Sequence, residues 1–263
     1  MMELEGVPVT ADALSAAALV NYGHFTSMRV EGSRARGLDL HLERLARDSQ
    51  TVFGVSVDTD RVRMLARKLA AQVSVPVMMR VTIFDPELSL GHPAASSQPR
   101  ILVTLRPVGA EVPPPIRLKV ARYQRELPEV KHIGLFGTVH QRRRAQRAGY
   151  DDVLFVGTNG LITEGATWNI GFIRDGKVRW PEADCLPGVT MRLVSTVMER
   201  SGIEVRRESI ALDQVAASDS AFITNAGVGL RLVAAIDGVS LSDGTSFVDR
   251  LRKEYDATEW QPL

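Results

Sequence analysis

The sequence predicts a mixed α/β (α+β) protein with two domains. Segments with the alternating hydrophobicity of strands are interspersed with segments of helical periodicity, and a run of prolines separates two such sets. The run stands in GAEVPPP, and consecutive prolines cannot continue a helix or an internal strand. We therefore expect an N-terminal domain at 1–108, a linker at 109–116 and a C-terminal domain at 117–263.

The first domain is expected to combine a hairpin, two helices and two further strands. HFTSMRVEG alternates and ends at a turn, and SRARGLDL is the expected return strand. LDLHLERLARDSQTVFG has leucines near helical spacing, with Asp39 as the predicted N-cap and Gly54 as the predicted end. The remaining elements are a second amphipathic helix, DTDRVRMLARKLAAQV, and the strands VPVMMRVTIF and RILVTLRPV.

The second domain is expected to be a meander sheet with helices. DVLFVGTNGLIT and NIGFIRDGKVRW predict hairpins around Asn159-Gly160 and Asp175-Gly176, because type I′ turns need positive φ at both central residues. GVTMRLVSTVMERSG is a predicted helix that ends at Gly202. DSAFITNAGVGLRLVAAIDG predicts two strands around a tight glycine loop, and TSFVDRLRKEYDA predicts a closing helix.

Composition and charge exclude several classes of function. The 263 residues include 32 basic and 31 acidic side chains, so the clear basic excess of a nucleic-acid-binding protein is missing. The segment QRRRAQR is therefore predicted to be the solvated face of a helix over 137–149. With one cysteine, Cys185, and no signal peptide or membrane span, we expect a cytoplasmic protein.

The residues that indicate chemistry are a lysine, a carboxylate and several potential anion-binding turns. Lys131 precedes a glycine-containing turn, and Glu164 lies at the end of a predicted strand. Gly188, Val189 and Thr190 begin a predicted helix, whose free N–H groups favour a phosphate. TNAGVG is a second such turn, and Arg44 is a further phosphate partner. These are the parts that pyridoxal 5′-phosphate (PLP) requires; the histidines lack zinc spacing, so no metal site is expected.

Five stretches, in order over about residues 20 to 237, resemble the class IV aminotransferases, which are fold-type IV PLP enzymes. The stretches are FTSMRVEG with LDLHLERLARDS, Lys131, RAGYDDVLFVGTNGLITEGATWNIGFIRDGKVRWP, CLPGVTMRLV and ITNAGVGLRLV. Lys131 and Glu164 are 33 residues apart, as in the family pattern. The family includes branched-chain and D-amino-acid aminotransferases and 4-amino-4-deoxychorismate lyase.

The resemblance implies a D-amino-acid aminotransferase-like fold of two domains, with PLP in the cleft between them and a homodimeric assembly. It implies that Lys131 forms the Schiff base with PLP and that Glu164 binds the ring nitrogen. The expected cofactor-binding residues are Arg44, Lys131, Glu164, Asn169, Gly188, Val189, Thr190, Thr224 and Asn225. For the substrate, an amino acid or a 2-oxo acid, we expect contacts from His24, Arg29 and Arg106.

Two departures from the family pattern keep three functions open. Thr-Met-Arg replaces the common Thr-Arg, which displaces Arg192, and Phe136 stands near the place of a tyrosine in HIGLFG. Phe-Thr near the N terminus and Lys-His at Lys131 resemble the lyase branch. We therefore expect amino-group transfer, with the lyase reaction (pyruvate elimination giving 4-aminobenzoate) or a non-catalytic, PLP-free protein as alternatives.

Overall fold

The structure, a computed structural model, describes residues 1–109, 114–217 and 220–263. The α-helices are α1 Ala11–Val20, α2 Leu38–Phe53, α3 Thr59–Ala70, α4 Phe136–Arg147, α5 Val189–Arg200 and α6 Thr245–Asp256, and a 3-10 helix spans Leu212–Ala217. The first strands are β1 Met2–Leu4, β2 Val7–Pro8, β3 Gly23–Glu31, β4 Arg34–Arg36, β5 Val77–Phe84, β6 Arg100–Pro107, β7 Ile116–Arg122 and β8 Asp152–Val156. They are followed by β9 Ile162–Gly165, β10 Asn169–Arg174, β11 Lys177–Pro181, β12 Val205–Glu208, β13 Ser220–Asn225, β14 Gly229–Ile236, β15 Val239–Ser240 and β16 Trp260–Pro262.

The first compact unit comprises Met1–Gly109, Val130–Gly134 and Glu259–Leu263. Its sheet has the strand order β16-β4-β3-β5-β6-β1-β2. Alternate residues of β5, from Val77 to Ile83, turn one face of the sheet toward α2 and α3 and are buried there with Leu45 and Leu69. The opposite face of β3, β5 and β6 carries Arg29, Arg80 and Arg106 at one end and the apolar Phe84 and Leu102 at the other.

Helix α2 ends as the sequence predicts but begins differently. Gly54, with φ of 69°, is its C-cap, which confirms the predicted end. The predicted N-cap Asp39 is wrong, because the helix begins at Leu38 after Gly37, whose φ is 63°. Asp39 lies within the first turn, where its carboxylate accepts hydrogen bonds from Arg63 and Gln261.

The second compact unit comprises, among the described residues, 114–129 and 135–258. Its main path of strands runs β12-β11-β10-β13-β14-β7-β8-β9, and β15 pairs with β14. Helices α5 and α6 cover part of the sheet, and Met198 and Leu251 are buried against Phe222. A second cluster around Ile170, Ile223 and Val156 fills the rest of the core.

The two predicted hairpins of this unit differ in their turns. Asp175 and Gly176 both have positive φ, 52° and 71°, and the hairpin of β10 and β11 is confirmed. At the hairpin of β8 and β9, Gly160 has a positive φ but Asn159 does not. The predicted type I′ turn is therefore wrong. The Asn159 side chain instead accepts a hydrogen bond from the Leu161 N–H and shapes a wider loop between β8 and β9.

The arginine-rich segment forms α4, and most of its arginines are exposed, as expected. Arg142 is an exception to the predicted solvated face. It donates two hydrogen bonds to the carboxylate of buried Asp152, at 2.8 and 2.6 Å, and that carboxylate also accepts from the Trp168 indole. Arg142 therefore fastens α4 to the start of β8.

The predicted linker at 109–116 lies mainly outside the described residues, because 110–113 are not described. The contiguous boundaries 1–108 and 117–263 stay predictions. The first unit, however, also takes in two short segments from the second half of the sequence, at 130–134 and 259–263. In the described part of the chain, none of the helices has the length and apolarity needed to cross a membrane.

Candidate functional site

Lys131 belongs to the first unit, where its segment extends the sheet beside β3. The Phe25 N–H donates to the Lys131 carbonyl at 2.9 Å, and the Ile133 N–H donates to the Gly23 carbonyl at 2.9 Å. This edge of β3 is available because β4 pairs only with Val30 and Glu31 at its far end. The Lys131 Nζ lies 4.9 Å from the centroid of the Phe25 ring.

Helix α2 fastens both β3 and Lys131 through its inward polar side chains. Asp48 accepts a hydrogen bond from the Lys131 backbone N–H at 3.0 Å. His41 Nδ1 is 2.6 Å from the Thr26 hydroxyl, and the Ser49 hydroxyl is 2.9 Å from the Nε2 of His24. Helical spacing places these side chains, and that of buried Arg44, on the face of α2 that lies against the sheet.

Burial keeps the two histidines of this network neutral. The pKa of His24 is lowered to about 4, mainly by burial, which the nearby Asp48 carboxylate partly opposes. The pKa of His41 is lowered to about 3 by burial and, secondarily, by the positive charges of Arg44 and Lys131. Both rings can therefore serve as neutral hydrogen-bonding groups at physiological pH. The structure places His24, a predicted substrate residue, fully buried.

The sheet face opposite the core of the first unit carries three arginines. The cross-strand register sets Arg29 and Arg106 on either side of Met78, and Arg80 one row along between Ser27 and Thr104. Arg29 pairs with Glu31 at 2.6 Å. Among the described residues, neither Arg80 nor Arg106 forms an ion pair with a carboxylate.

Arg80 is a candidate that the sequence reasoning missed. Its guanidinium lies 3.6 Å from the centroid of the Phe25 ring, and its Nε donates to the Thr82 hydroxyl at 3.1 Å. Burial, and then the charge of Arg106, lowers the pKa of Arg80 to about 10. A single charged residue in the mainly apolar strand VMMRVTIF is a signal that could have identified it, since such a charge is costly without an anionic partner.

Glu164 lies in the second unit, where an arginine and a backbone N–H hold its carboxylate. Arg125 Nε donates to one oxygen at 2.8 Å, and the Leu186 N–H donates to the other at 3.1 Å. Both side chains are nearly buried, with 9% and 7% of their surfaces exposed. Arg125 therefore positions Glu164, a role that its sequence position alone did not suggest. Burial, with the Glu164 charge second, raises the pKa of the Cys185 thiol to about 11.

The N-terminus of α5 lies against Asn169. Gly188 is the N-cap, and a Cβ added there would come within 2.0 Å of the Asn169 Oδ1, so only glycine fits. The Asn169 side chain donates to the Leu186 carbonyl at 2.8 Å. Because Leu186 also bonds Glu164, one short stretch of chain connects the predicted residues Glu164, Asn169 and Gly188.

The predicted phosphate loop between β13 and β14 lies beside the same strand. Thr224 is the cross-strand partner of Asn169, and Asn225 accepts hydrogen bonds from the N–H groups of Gly227 and Val228, which shapes the turn. Thr224 is 1% exposed, and among the described residues its hydroxyl oxygen has no hydrogen-bond partner. Val189 and Thr190, both buried, form the first turn of α5.

Known proteins resemble this chain over most of its length. A protein from Rickettsia felis, named as a probable branched-chain-amino-acid aminotransferase, is 24% identical over 251 residues, which cover 88% of this chain and 86% of the relative. A solved structure from Legionella pneumophila, provisionally described as a 4-amino-4-deoxychorismate lyase, matches with a TM-score of 0.83 and 20% identity over 92% of this chain and 93% of its own. A hypothetical aminotransferase from Mycobacterium tuberculosis, solved in its PLP-bound form, matches with a TM-score of 0.82 and 20% identity over 98% of each chain.

Matches to solved structures with TM-scores up to 0.87 confirm the predicted mixed α/β fold of the fold-type IV enzymes. The model of the amino-transferase class IV family matches residues 23–236, which include the two segments that carry Lys131 and Glu164. This chain belongs to the class IV aminotransferase family of enzymes.

Proposed function

We propose that this protein transfers an amino group between an amino acid and a 2-oxo acid, with PLP as its cofactor and Lys131 as the residue that binds PLP covalently. The observation that carries the proposal is the hydrogen bonding of the Lys131 main chain. Both polar groups of its main chain are hydrogen-bonded, to Asp48 and to Phe25, and the Asp48 side chain is completely buried. A lysine that only faces solvent does not need a main chain that is fixed in this way.

The second unit has features that fit the phosphate of PLP. Thr224 offers a buried hydroxyl without a partner among the described residues, and Gly188 leaves the start of α5 open where any larger side chain would collide with Asn169. The free N–H groups of a helix N-terminus favour an anion. The residues that would hold PLP are Arg44, Lys131, Glu164, Asn169, Gly188, Val189, Thr190, Thr224 and Asn225.

Lys131 and Glu164 have different roles in this proposal. Bound PLP supplies an electron-withdrawing ring that stabilises negative charge at the substrate α-carbon. The Lys131 amine would move a proton between that α-carbon and C4′ of the cofactor. Glu164, which Arg125 and the Leu186 N–H keep in place, would hold the ring nitrogen.

We assign the binding of substrate carboxylates to the face of the first sheet that carries Arg29, Arg80 and Arg106. Arg80 and Arg106 support this assignment because they are neighbouring cations without a carboxylate partner among the described residues. Arg29 and His24, also expected from the sequence, are engaged by Glu31 and Ser49. We therefore rank Arg80 and Arg106 above them as carboxylate-binding residues.

An amino-donor screen tests the proposal. Purified protein supplied with PLP is mixed with single amino acids and 2-oxoglutarate, and the new amino acid is measured. We expect glutamate to form with at least one donor, and Arg80→Met to raise KM for the acidic partner more than it lowers kcat. A protein that shows no visible PLP band and no transfer with any donor would refute the proposal.

The lyase reaction is the second candidate. Phe136, in place of the family's tyrosine, is 82% exposed at the start of α4 and offers no hydroxyl. This observation and the likeness to the Legionella structure favour pyruvate release from aminodeoxychorismate. An assay coupled to lactate dehydrogenase detects pyruvate and separates the two reactions in one experiment.

Assembly, location and the PLP-free alternative stay predictions to be measured. The resemblance implies a homodimer, which sedimentation would report, and the sequence implies a cytoplasmic protein. A PLP-free protein would show no change in heat stability on titration with PLP. Specific binding instead adds about 2.7 kcal/mol when PLP is present at about 100 times its Kd.

A further inference from the structure

The carboxylate of Asp48 joins two parts of the chain that are 83 residues apart in sequence. One oxygen accepts two hydrogen bonds from Arg47, from Nε at 3.0 Å and from Nη2 at 2.7 Å. The other accepts from the Lys131 backbone N–H at 3.0 Å. The Asp48 side chain has no exposed surface, whereas that of Arg47 is 37% exposed.

A buried carboxylate is costly unless its oxygens are hydrogen-bonded. The bonds from Arg47 and from the Lys131 N–H meet this requirement for Asp48. Its bond to Lys131 is charge-assisted, and such bonds are roughly twice as strong as neutral ones. The Phe25 N–H holds the carbonyl of the same residue, so the peptide groups on both sides of the Lys131 Cα are fixed.

We propose that Asp48 is a positioning residue for Lys131: it fixes the lysine main chain and thereby the direction in which Nζ is presented. This inference rests on the proposed function, in which Lys131 is the reacting amine. Asp48 acts through the backbone N–H of Lys131 and does not itself occupy Nζ. A displacement of about 1 Å at a reacting group can cost about a hundredfold in rate, so this fixation matters for catalysis.

The test compares Asp48→Asn and Asp48→Ala with Asp39→Asn, a matched change at an exposed aspartate of the same helix. Hydrogen–deuterium exchange of the Lys131 amide is measured on each purified protein without added PLP. We expect exchange to accelerate at least about tenfold in Asp48→Ala, because the amide loses a bond to a charged acceptor. Asp48→Asn, which keeps one acceptor oxygen, accelerates exchange less, and Asp39→Asn leaves it unchanged.

The second readout is the pH titration of the visible band after loading with PLP. Misplacement of Nζ shifts the midpoint of that titration and lowers kcat in Asp48→Ala, with partial rescue in Asp48→Asn. If Asp48→Ala does not fold, Asp48→Asn against Asp39→Asn decides both readouts. Unchanged amide exchange, or faster exchange with an unshifted titration and an unchanged kcat, would overturn the positioning role.

The two hypotheses fail in different ways. A wild-type protein that develops no visible band with PLP refutes the proposed function, whatever the exchange rates are. A wild-type band together with wild-type exchange in the Asp48 variants refutes the role of Asp48 alone.

Discussion

The hydrogen bonds described around Lys131 hold its main chain, whereas those described around Glu164 hold its side chain. Asp48 and Phe25 hold the peptide groups of Lys131. Arg125 and the Leu186 N–H hold the two carboxylate oxygens of Glu164. This fits the proposed tasks. The backbone bonds fix the base of the lysine whose amine would form and break bonds, whereas a carboxylate that would hold a ring nitrogen acts best when its own atoms are fixed.

The sharpest test of this comparison is the removal of the Lys131 amine. Lys131→Ala should abolish the visible PLP band and lower transfer activity at least about a thousandfold, because the proton-transferring amine is lost. Lys119→Ala is the control, since Lys119 is an exposed lysine paired with Asp237 on the second sheet. Equal loss in both variants would contradict a special role for Lys131.

The second largest effect is expected from removing the ion pair between Arg125 and Glu164, and it should appear in the free energy of unfolding. Arg125→Met leaves the Glu164 carboxylate buried without its ion-pair partner, and such losses cost about 3 to 5 kcal/mol. In a double-mutant cycle with Glu164→Gln, measured by urea unfolding, we expect a coupling of about 1 to 3 kcal/mol. Additive effects would show that the pair does not hold Glu164 in solution.

The neutral histidines around Lys131 predict an acid sensitivity of the first unit. His24 has a pKa of about 4 when folded against 6.5 when unfolded, so the unfolded state gains its proton first as the pH falls. The free energy of unfolding should therefore fall between pH 6.5 and pH 4, by about 3 kcal/mol from His24.

Two histidine variants isolate this contribution. His24→Asn cannot be charged in this range and should flatten the pH dependence of urea unfolding. His92→Asn, which changes an exposed histidine, should leave the slope as in the wild type. A slope unchanged by His24→Asn would mean that other groups cause the acid sensitivity.

The smallest effect is expected at Thr224. Thr224→Val removes a buried hydroxyl without a partner among the described residues, so stability without PLP should be unchanged or slightly higher. The Kd for PLP should rise about tenfold with the loss of one bond to phosphate. Thr163→Val, whose hydroxyl donates to the Phe155 carbonyl, should instead lower stability by about 1 kcal/mol. Unchanged PLP affinity in Thr224→Val would remove Thr224 from the phosphate-binding set.

Local signals in the sequence predicted the parts of the fold that depend on local geometry. Gly54 and the Asp175-Gly176 turn were predicted correctly because positive φ is a property of one or two residues. The cap at Asp39 was wrong because Gly37 already turns the chain, and the turn at Asn159 was wrong because a side-chain hydrogen bond widens the loop.

The neighbours of the proposed site residues could not be predicted in the same way. Family motifs identified Lys131 and Glu164, but the residues that fix them lie 83 and 39 positions away in sequence. Arg80 was missed for a related reason. Its significance depends on Arg106 and Phe25, which only the pairing of β3, β5 and β6 brings next to it.

The closing strand of the first sheet has a consequence for synthesis on the ribosome. β16 pairs with β4, and Leu263 is completely buried in the first core, so this sheet draws on residues more than 220 positions apart. While the intervening chain is being made, the β4 edge stays open and the core lacks Leu263. The first unit is therefore exposed to edge-to-edge association until residues 259–263 have left the exit tunnel, and nascent chains stalled before that point should depend most on chaperones.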